Sequence, residues 1–225
     1  NSLVKSAKDL KKKFSKIKIK FTIIDVNSPV SDTNKILSII SNESFKAELA
    51  RVEDVNDFKD NMTTTMASIK KSFYAAQNCT DLIYFVEDDY IHKRESLAEM
   101  IFAYEKFSSI FQKEIFILST DYPYLYKKMG NSSILIGEKT HWRTVNESLL
   151  TFMTSSKMIK KYFEKFVDMA TNRSDPFEKN LHEIYEKEQC FSPIPSLSIH
   201  CTNINSVFGL SPNIDLKKLW EENKN

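Results

Sequence analysis

The chain has 225 residues, 41% of them hydrophobic, which suits one large domain with its own core. Its 32 basic and 30 acidic residues leave a net charge of +2, which argues against nucleic-acid binding through bulk electrostatics. No apolar run approaches the roughly 20 residues of a membrane span. Only three glycines occur, so Gly-rich phosphate loops and dinucleotide fingerprints are excluded.

The first half of the sequence alternates predicted helices with predicted strands. Apolar spacing predicts helices at 3–14, 36–40, 62–76 and 97–107, with Asp32 or Thr33 as N-cap of the second. Strands are predicted at 17–26, 45–52, 82–86 and 115–118. This order predicts an α/β fold with right-handed βαβ units and a largely parallel sheet.

The second half is predicted to be mixed. Strands are expected at 134–136 and 149–153, and amphipathic helices at 158–167 and 177–185. Pro193 and Pro195 place residues 191–200 in an edge strand or a loop. The polar tail from Asp215 is expected to fray. No repeat or linker divides the chain, so residues 1–225 are predicted to form one domain.

Three acids, Glu87, Asp88 and Asp89, directly follow the predicted strand 82–86. Its five apolar residues predict burial on both faces, as in a parallel sheet, whose ligands bind at the carboxyl ends of the strands. Adjacent carboxylates repel one another unless a cation or proton lies between them. Their oxygens suit Mg²⁺ or Mn²⁺, ions that usually also hold substrate phosphates. The alternative is a solvated acidic turn at the start of the next helix.

Eight lysines crowd the first twenty positions: Lys5, Lys8, Lys11, Lys12, Lys13, Lys16, Lys18 and Lys20. Such a run predicts a solvated face, and the alternative is contact with an anionic membrane surface or a phosphate-bearing acceptor. Cys79, Cys190 and Cys201 are an odd number without metal-type spacing. We therefore expect free thiols in a reducing, cytoplasmic compartment.

Two acidic strand ends carry a resemblance to a known family. The segment 25–32, Asp-Val-Asn-Ser-Pro-Val-Ser-Asp, resembles the acidic turn of family 2 glycosyltransferases of the GT-A fold. Glu87-Asp88-Asp89 resembles their Asp-x-Asp metal motif. The resemblance covers the element order of residues 2–200. It implies a Rossmann-like, mostly parallel sheet flanked by helices, with a nucleotide-sugar half at 1–120, an acceptor half at 121–210 and a tail at 211–225.

The chain departs from this family in two places. Val26-Asn27-Ser28-Pro29 stands where the family has Gly and Asp. In the family a strand also precedes the first helix. The resemblance therefore implies either that the first strand lies upstream of Asn1 or that the sheet of this chain begins differently.

The resemblance implies roles for the donor side. Asp25, and more weakly Glu53, would contact the base or ribose of a nucleotide-sugar. Asp89 would bind Mn²⁺ or Mg²⁺, and Glu87 or Asp88 would hold the ribose or a metal-bound water.

The resemblance also implies a late histidine on the metal, for which His200 is the candidate; a structural role for a lone histidine is the alternative. Trp142 and Arg143 are candidates for acceptor or phosphate contacts, since sugars stack on aromatic rings and arginine binds phosphate bidentately. His141-Trp142-Arg143 is expected on one turn. A packed tryptophan beside a surface arginine explains the same residues without a ligand.

The resemblance implies a catalytic base on the acceptor side, following a helix. Asp175 is the candidate, with Glu178 close by in sequence, and Asp121 is its rival. Asp175 stands before a proline and could equally be a helix N-cap.

The resemblance thus implies a metal-dependent glycosyltransferase that moves a sugar from a nucleotide-sugar to a hydroxyl of a saccharide or lipid-linked acceptor. Surface polysaccharide synthesis is the expected setting, in the cytoplasm or peripherally at the inner face of the membrane through the Lys-rich N-terminal segment, with no nucleic-acid partner. The alternatives are a metal-dependent nucleotidyltransferase and a non-catalytic, degenerate transferase domain used for assembly.

Overall fold

The structure is a computed structural model that describes residues 1–53, 60–127, 130–202, 204 and 209–224. The helices in these ranges are α1 Ser2–Lys13, α2 Val30–Asn42, α3 Asn61–Gln77, α4 Ser96–Phe111, α5 Ser156–Lys161, α6 Phe163–Met169, α7 Lys179–Tyr185 and α8 Leu216–Asn223. The strands are β1 Lys20–Asp25, β2 Lys46–Arg51, β3 Leu82–Phe85, β4 Tyr90–His92, β5 Phe116–Leu118, β6 Ile134–Ile136, β7 His141–Val145, β8 Phe152–Ser155, β9 Cys190–Ile194 and β10 Ser198–His200. A 3₁₀-helix covers Pro123–Lys127.

Three sheets organise these strands. The largest has six strands in the order β3-β8-β5-β9-β7-β6, and of its neighbours only β5 and β9 run parallel. The pair β1–β2 is parallel and the pair β4–β10 is antiparallel. The predicted α/β class is confirmed and is compatible with a Rossmann-like fold. The prediction of a mostly parallel sheet was wrong, because the main sheet is mixed.

Strand β3 explains why the apolar run at 82–86 misled the prediction. It lies at the edge of the six-stranded sheet, pairs antiparallel with β8, and all four of its residues are half-buried. Leu82 and Tyr84 pack on one core cluster, whereas Ile83 and Phe85 pack on another. The run is apolar because both faces of the strand are covered, which parallel pairing does not require.

Helices cover both faces of the main sheet. The first core cluster joins it to α1, α2 and α4, through buried residues that include Leu10, Ile40, Met100 and Phe107. The second cluster joins it to α3, α5, α6 and α7, through Phe73, Ile159, Phe166 and Leu181. Fully burying each such side chain contributes roughly 1.5–3 kcal/mol. The strands that both clusters share therefore form the middle layer of an α/β/α arrangement.

The first-half helices and strands lie where predicted, but several boundaries differ. Pro29, rather than Asp32 or Thr33, occupies the N-cap position of α2. The helix expected at 158–167 is divided at Tyr162 into α5 and α6. The tail expected to fray instead forms α8, in which Leu219 is buried. The Asp215 side chain accepts a hydrogen bond from the Lys218 N–H, which stabilises the start of that helix.

Strand β9 contains Pro193, although prolines predicted an edge strand or a loop. Cys190 and Phe191 pair with β5, whereas pairing with β7 extends from Cys190 to Ile194. At Pro193 the strand therefore has a neighbour on the β7 side only. A proline is tolerated there because no β5 hydrogen bond has to be made.

The lysine-rich start of the chain is largely engaged within the protein. Ion pairs join four of these lysines to acids, as Lys8–Glu43, Lys12–Asp9, Lys13–Glu138 and Lys20–Glu48. These pairs offset part of the positive charge of the segment. Cys79, Cys190 and Cys201 are free thiols, as predicted. Among the described helices, none has the length and apolar character needed to cross a membrane.

Candidate functional site at the carboxyl ends of the strands

The direction of the strands gathers polar residues at one edge of the main sheet. Strands β3 and β5 both oppose β8, and β9 runs parallel to β5, so β3, β5 and β9 all end at the same edge. The residues that follow these strands are 87–89, 119–121 and 195–200. Strand β8 starts at this edge and brings Thr151 to it. Strand carboxyl ends are where α/β proteins bind ligands.

Asp89 and His200 form the centre of this cluster. The β4–β10 register places His200 beside Tyr90, and the His200 Nε2 lies 2.9 Å from Asp89 Oδ2. Burial alone would lower the pKa of His200, but the hydrogen bond and charge of Asp89 outweigh it and raise that pKa. The pKa of Asp89 is lowered, because hydrogen bonds from His200 and Thr202 outweigh the effect of burial.

Glu87 lies beside this pair in a less polar environment. Burial raises the pKa of Glu87 to about 7, and the nearby charge of Asp89 adds to that effect. The Glu87 N–H donates to Thr151 Oγ1 at 3.2 Å, and the Thr151 hydroxyl donates to Glu87 Oε2 at 3.3 Å. The charge of Glu178 makes a further, smaller contribution in the same direction.

Two buried tyrosines, Tyr90 and Tyr122, pack next to His200 and each other. The ring of Tyr90 stacks on His200 with centroids 4.9 Å apart and an interplanar angle of 30°. The hydroxyls of Tyr90 and Tyr122 are 2.6 Å apart, and both side chains are buried. The imidazole orientation is therefore fixed by an aromatic ring as well as by Asp89.

The donor set fits an ion that takes most of its ligands from a substrate. No group of three or more His, Cys, Asp or Glu that could hold a metal occurs within the described ranges. Asp89 and His200 are two such donors, and Asp89 Oδ1 and His200 Nδ1 are buried without a hydrogen-bond partner among the described residues. Mg²⁺ and Mn²⁺ sites often have one or two protein ligands and complete their coordination with phosphate oxygens and water.

Asp25 lies at the carboxyl end of β1. Its side chain is buried, and the Ser28 N–H donates to Oδ1 at 3.1 Å. Oδ2 is buried and has no hydrogen-bond partner among the described residues, and Arg51 Nε lies 3.7 Å from it. Arg51 stands opposite Asp25 in the β1–β2 register and is about half exposed. Glu53, just beyond, is exposed.

Asp121 and Arg143 lie together in a buried ion pair. Arg143 donates to Asp121 Oδ1 from Nε at 3.1 Å and from Nη2 at 2.8 Å, and Tyr126 donates to Oδ2. The Arg143 guanidinium also lies 4.2 Å from the centroid of the Tyr126 ring. Both carboxylate oxygens of Asp121 are thus engaged within the protein, as expected of a structural pair.

Trp142 belongs to the core and not to a ligand surface. The segment His141-Trp142-Arg143, expected as a turn, is part of strand β7. The Trp142 side chain is fully buried and lies edge-on to Phe107 with centroids 6.2 Å apart. Its ring is therefore used in packing and is closed to a sugar.

The remaining acidic candidates, Asp88, Asp175 and Glu178, differ in how deeply they are buried. Asp88 and Asp175 are exposed. Glu178 is half-buried at the start of α7, and burial raises its pKa. Its charge acts on both Glu87 and Tyr124. On the acceptor side, Glu178 is thus more buried than Asp175.

Two surface cavities lie elsewhere on the molecule. One of about 470 Å³ is lined by residues that include Lys113, Lys157 and Tyr162. The other, of about 560 Å³, lies beside α7 and is lined by residues that include Glu147 and His182. Glu87, Asp89 and His200 line neither cavity. They form a candidate site because of their chemistry and their place at the end of the strands.

Comparison with known proteins adds no identification. No protein-family model matches the chain, and no curated protein matches its sequence. The resemblance to glycosyltransferases therefore depends on the two acidic strand ends and on the order of the elements.

Proposed function

We propose that this protein is a metal-dependent glycosyltransferase that uses a nucleotide-sugar donor. The observation that carries the proposal is the convergence of Glu87, Asp89 and His200 at the carboxyl edge of the main sheet. Two features favour a ligand there. Asp89 Oδ1 and His200 Nδ1 have no hydrogen-bond partner among the described residues, and the pKa of Glu87 is raised.

The Asp25–Arg51 pair supports a base-binding role on the donor side. Asp25 Oδ2 accepts no hydrogen bond from a described residue, and the half-exposed Arg51 can donate to a neighbouring carbonyl. A uracil or thymine edge presents that combination, an N–H flanked by carbonyl oxygens. We therefore propose a uridine or thymidine diphosphate-sugar as the donor.

Asp89 and His200 are the residues that would hold Mn²⁺ or Mg²⁺. Such an ion, when bound, neutralises the diphosphate of the leaving group. Glu87 supplies a third carboxyl for the ribose or for a water, held in place by Thr151.

For the acceptor we propose Glu178 as the general base in place of Asp175 and Asp121. Glu178 is half-buried at the start of α7, and burial raises its pKa, which makes its carboxylate a stronger base. Glu178 takes the proton of the acceptor hydroxyl, whose oxygen bonds to the anomeric carbon. The bond from that carbon to the phosphate oxygen breaks, and the nucleoside diphosphate leaves with the electron pair. The acceptor we propose is a saccharide or lipid-linked saccharide, at the cytoplasmic side of a membrane during surface polysaccharide synthesis.

One observation favours a second candidate, a non-catalytic domain. Asp89 and His200 bond directly to each other and so partly satisfy their own charges. In a degenerate domain that pair would simply tie β4 to β10 and bind no ion.

A thermal-shift screen separates the two candidates. The protein is mixed with UDP, dTDP, GDP or CMP, each with and without Mn²⁺. A glycosyltransferase of the proposed type is stabilised by UDP or dTDP only when Mn²⁺ is present, because a ligand that binds only the folded state raises the melting temperature. No shift with any nucleotide contradicts the proposal and favours the non-catalytic domain.

A further inference from the structure

A single buried hydroxyl fixes both the backbone and the carboxylate of Glu87. Thr151 is fully buried, and its Oγ1 lies 3.2 Å from the Glu87 nitrogen and 3.3 Å from Glu87 Oε2. The hydroxyl oxygen accepts from the N–H and donates its own proton to the carboxylate. Since Phe152 pairs with Phe85, Thr151 stands just beyond the last pair of β3 and β8, where the chain turns into the acids.

The Thr151 hydroxyl also interacts with a tyrosine that contacts His200. The Tyr90 hydroxyl interacts with Thr151 and lies 2.6 Å from the Tyr122 hydroxyl. The Tyr90 ring in turn stacks on His200. Glu87 and His200 thus contact the same group of buried hydroxyl side chains. Its members are distant in sequence: Tyr90 of β4, Tyr122 after β5 and Thr151 before β8.

We propose that Thr151 is a positioning residue that holds Glu87 ready for a ligand. The effect on ligand binding rests on the proposed function, whereas the placement of Glu87 does not. Removal of the Thr151 hydroxyl takes a hydrogen-bond partner from both the carboxylate and the backbone N–H of Glu87. These groups must then bond to water or to another side chain, so we expect Glu87 to move.

Strand β8 provides a matched control for this residue. Thr154 is also fully buried, and its hydroxyl donates to the carbonyl of Ile115 at 2.8 Å, away from the acids. Thr151→Val and Thr154→Val each remove one buried hydroxyl from the same segment. Only the first removes a partner of Glu87, and Thr151→Ser restores that partner.

The first measurement is calorimetric titration of UDP in the presence of Mn²⁺. We expect Thr151→Val to weaken binding by about tenfold or more, the scale of one lost hydrogen bond to a charged group. Thr151→Ser should bind within about threefold of the parent, and Thr154→Val should lower the melting temperature without changing affinity. Parent-like affinity in Thr151→Val, or an equal loss in Thr154→Val, overturns the proposal.

The second measurement is a set of crystal structures of the parent, Thr151→Val and Thr151→Ser, without ligand. We expect the Glu87 carboxylate to leave its position in the valine variant and to keep it in the serine variant. An unmoved Glu87 in Thr151→Val overturns the positioning role even if no nucleotide binds. Absence of UDP binding to the parent, with Glu87 displaced as expected, contradicts the proposed function and leaves the positioning role standing. Thr151→Ala replaces Thr151→Val in both measurements if the valine variant does not fold.

Discussion

Asp25 has one oxygen that accepts a hydrogen bond from the Ser28 N–H and one that is buried without a partner in the part of the chain that the structure describes. We expect Asp25→Ala to weaken UDP binding about tenfold or more, since leaving one partner of a buried hydrogen bond unpaired costs roughly 1–3 kcal/mol. Binding of Mn²⁺ itself should persist, because the ion is assigned to Asp89 and His200. Calorimetry with UDP and with Mn²⁺ alone measures both. Undiminished UDP affinity in Asp25→Ala would show that the base does not bind at β1.

Asp121 was predicted as a rival catalytic base. Because it forms an ion pair with Arg143, we expect its removal to lower the stability of the protein. Removing one partner of a buried pair leaves an uncompensated charge, so Asp121→Ala should destabilise the protein by about 3–5 kcal/mol. The exposed Asp175 serves as control, and Asp175→Ala should change stability by less than about 0.5 kcal/mol. Urea denaturation measures both. Equal stability of the two variants contradicts the structural role of Asp121.

His92 is fully buried, and burial lowers its pKa to about 3, with the Asn1 amino group adding to the effect. Its Nε2 lies 2.7 Å from the Tyr84 hydroxyl. The unfolded chain takes up a proton at this histidine near pH 6.5, whereas the folded chain does not until about pH 3. The associated stability is therefore complete above pH 6.5 and decreases as the pH falls, by up to about 1.4 kcal/mol per pH unit.

His92→Gln tests this titration. The difference in free energy of unfolding between parent and variant should shrink as the pH falls from 7 to 5, because the glutamine does not titrate. Parallel pH profiles of the two proteins would mean that His92 does not resist protonation in the fold.

The sequence located the centre of the candidate site but not its supports. Acids after an apolar strand predicted the place of Glu87 and Asp89, because strand ends at one sheet edge are a general binding position. Thr151 and Arg51 carried no comparable signal. Each becomes relevant only through its strand partner, Thr151 through the β3–β8 pairing and Arg51 through its register with Asp25.

At the scale of elements, local patterns predicted helices and strands better than pairing. The amphipathic spacing in α1, α3 and α4 is a local property and gave the correct elements. The insertion of β8 between β3 and β5 is not local, since β8 lies about seventy residues after β3 in the chain. The mixed sheet could therefore not be deduced from the alternation of elements.

Helix α3 is anchored beneath the main sheet by Phe73. This side chain is fully buried and lies 5.2 Å from Phe85 of β3 and 4.9 Å from Phe166 of α6, measured between ring centroids. Phe73→Ala should cost about 3–5 kcal/mol, the range for truncating a buried phenylalanine. Met62, in the first turn of the same helix, is exposed, and Met62→Ala should cost less than about 1 kcal/mol. Chemical denaturation that gave similar losses would contradict this anchoring.

At the scale of the whole molecule, the predicted nucleotide and acceptor halves share one sheet. Strands β3 and β5 belong to residues 1–120, whereas β6, β7, β8 and β9 come from later in the chain, and β8 separates β3 from β5. The candidate site is composite in the same way. Asp89 comes from the first part of the chain, and Thr151, Glu178 and His200 come from the second.

This interleaving links folding to the site. The Asp89–His200 contact depends on β10 returning to β4, and the Thr151–Glu87 contact depends on β8 entering beside β3. Both contacts form only when the second part of the chain has docked on the first. A ligand that contacts both Glu87 and the Asp89–His200 pair should therefore stabilise the whole fold and not one half of it.

The central claim is that the Asp89–His200 pair binds a divalent ion together with a nucleoside diphosphate, and calorimetric titration of the parent and Asp89→Ala with UDP tests it most directly. With Mn²⁺, the parent should bind UDP, and without Mn²⁺ its affinity should fall by about a hundredfold or more, as expected when the ion supplies the phosphate contact. Asp89→Ala should fold normally and show the weak, metal-independent affinity under both conditions. UDP binding by Asp89→Ala that matches the parent and still depends on Mn²⁺ would contradict the account.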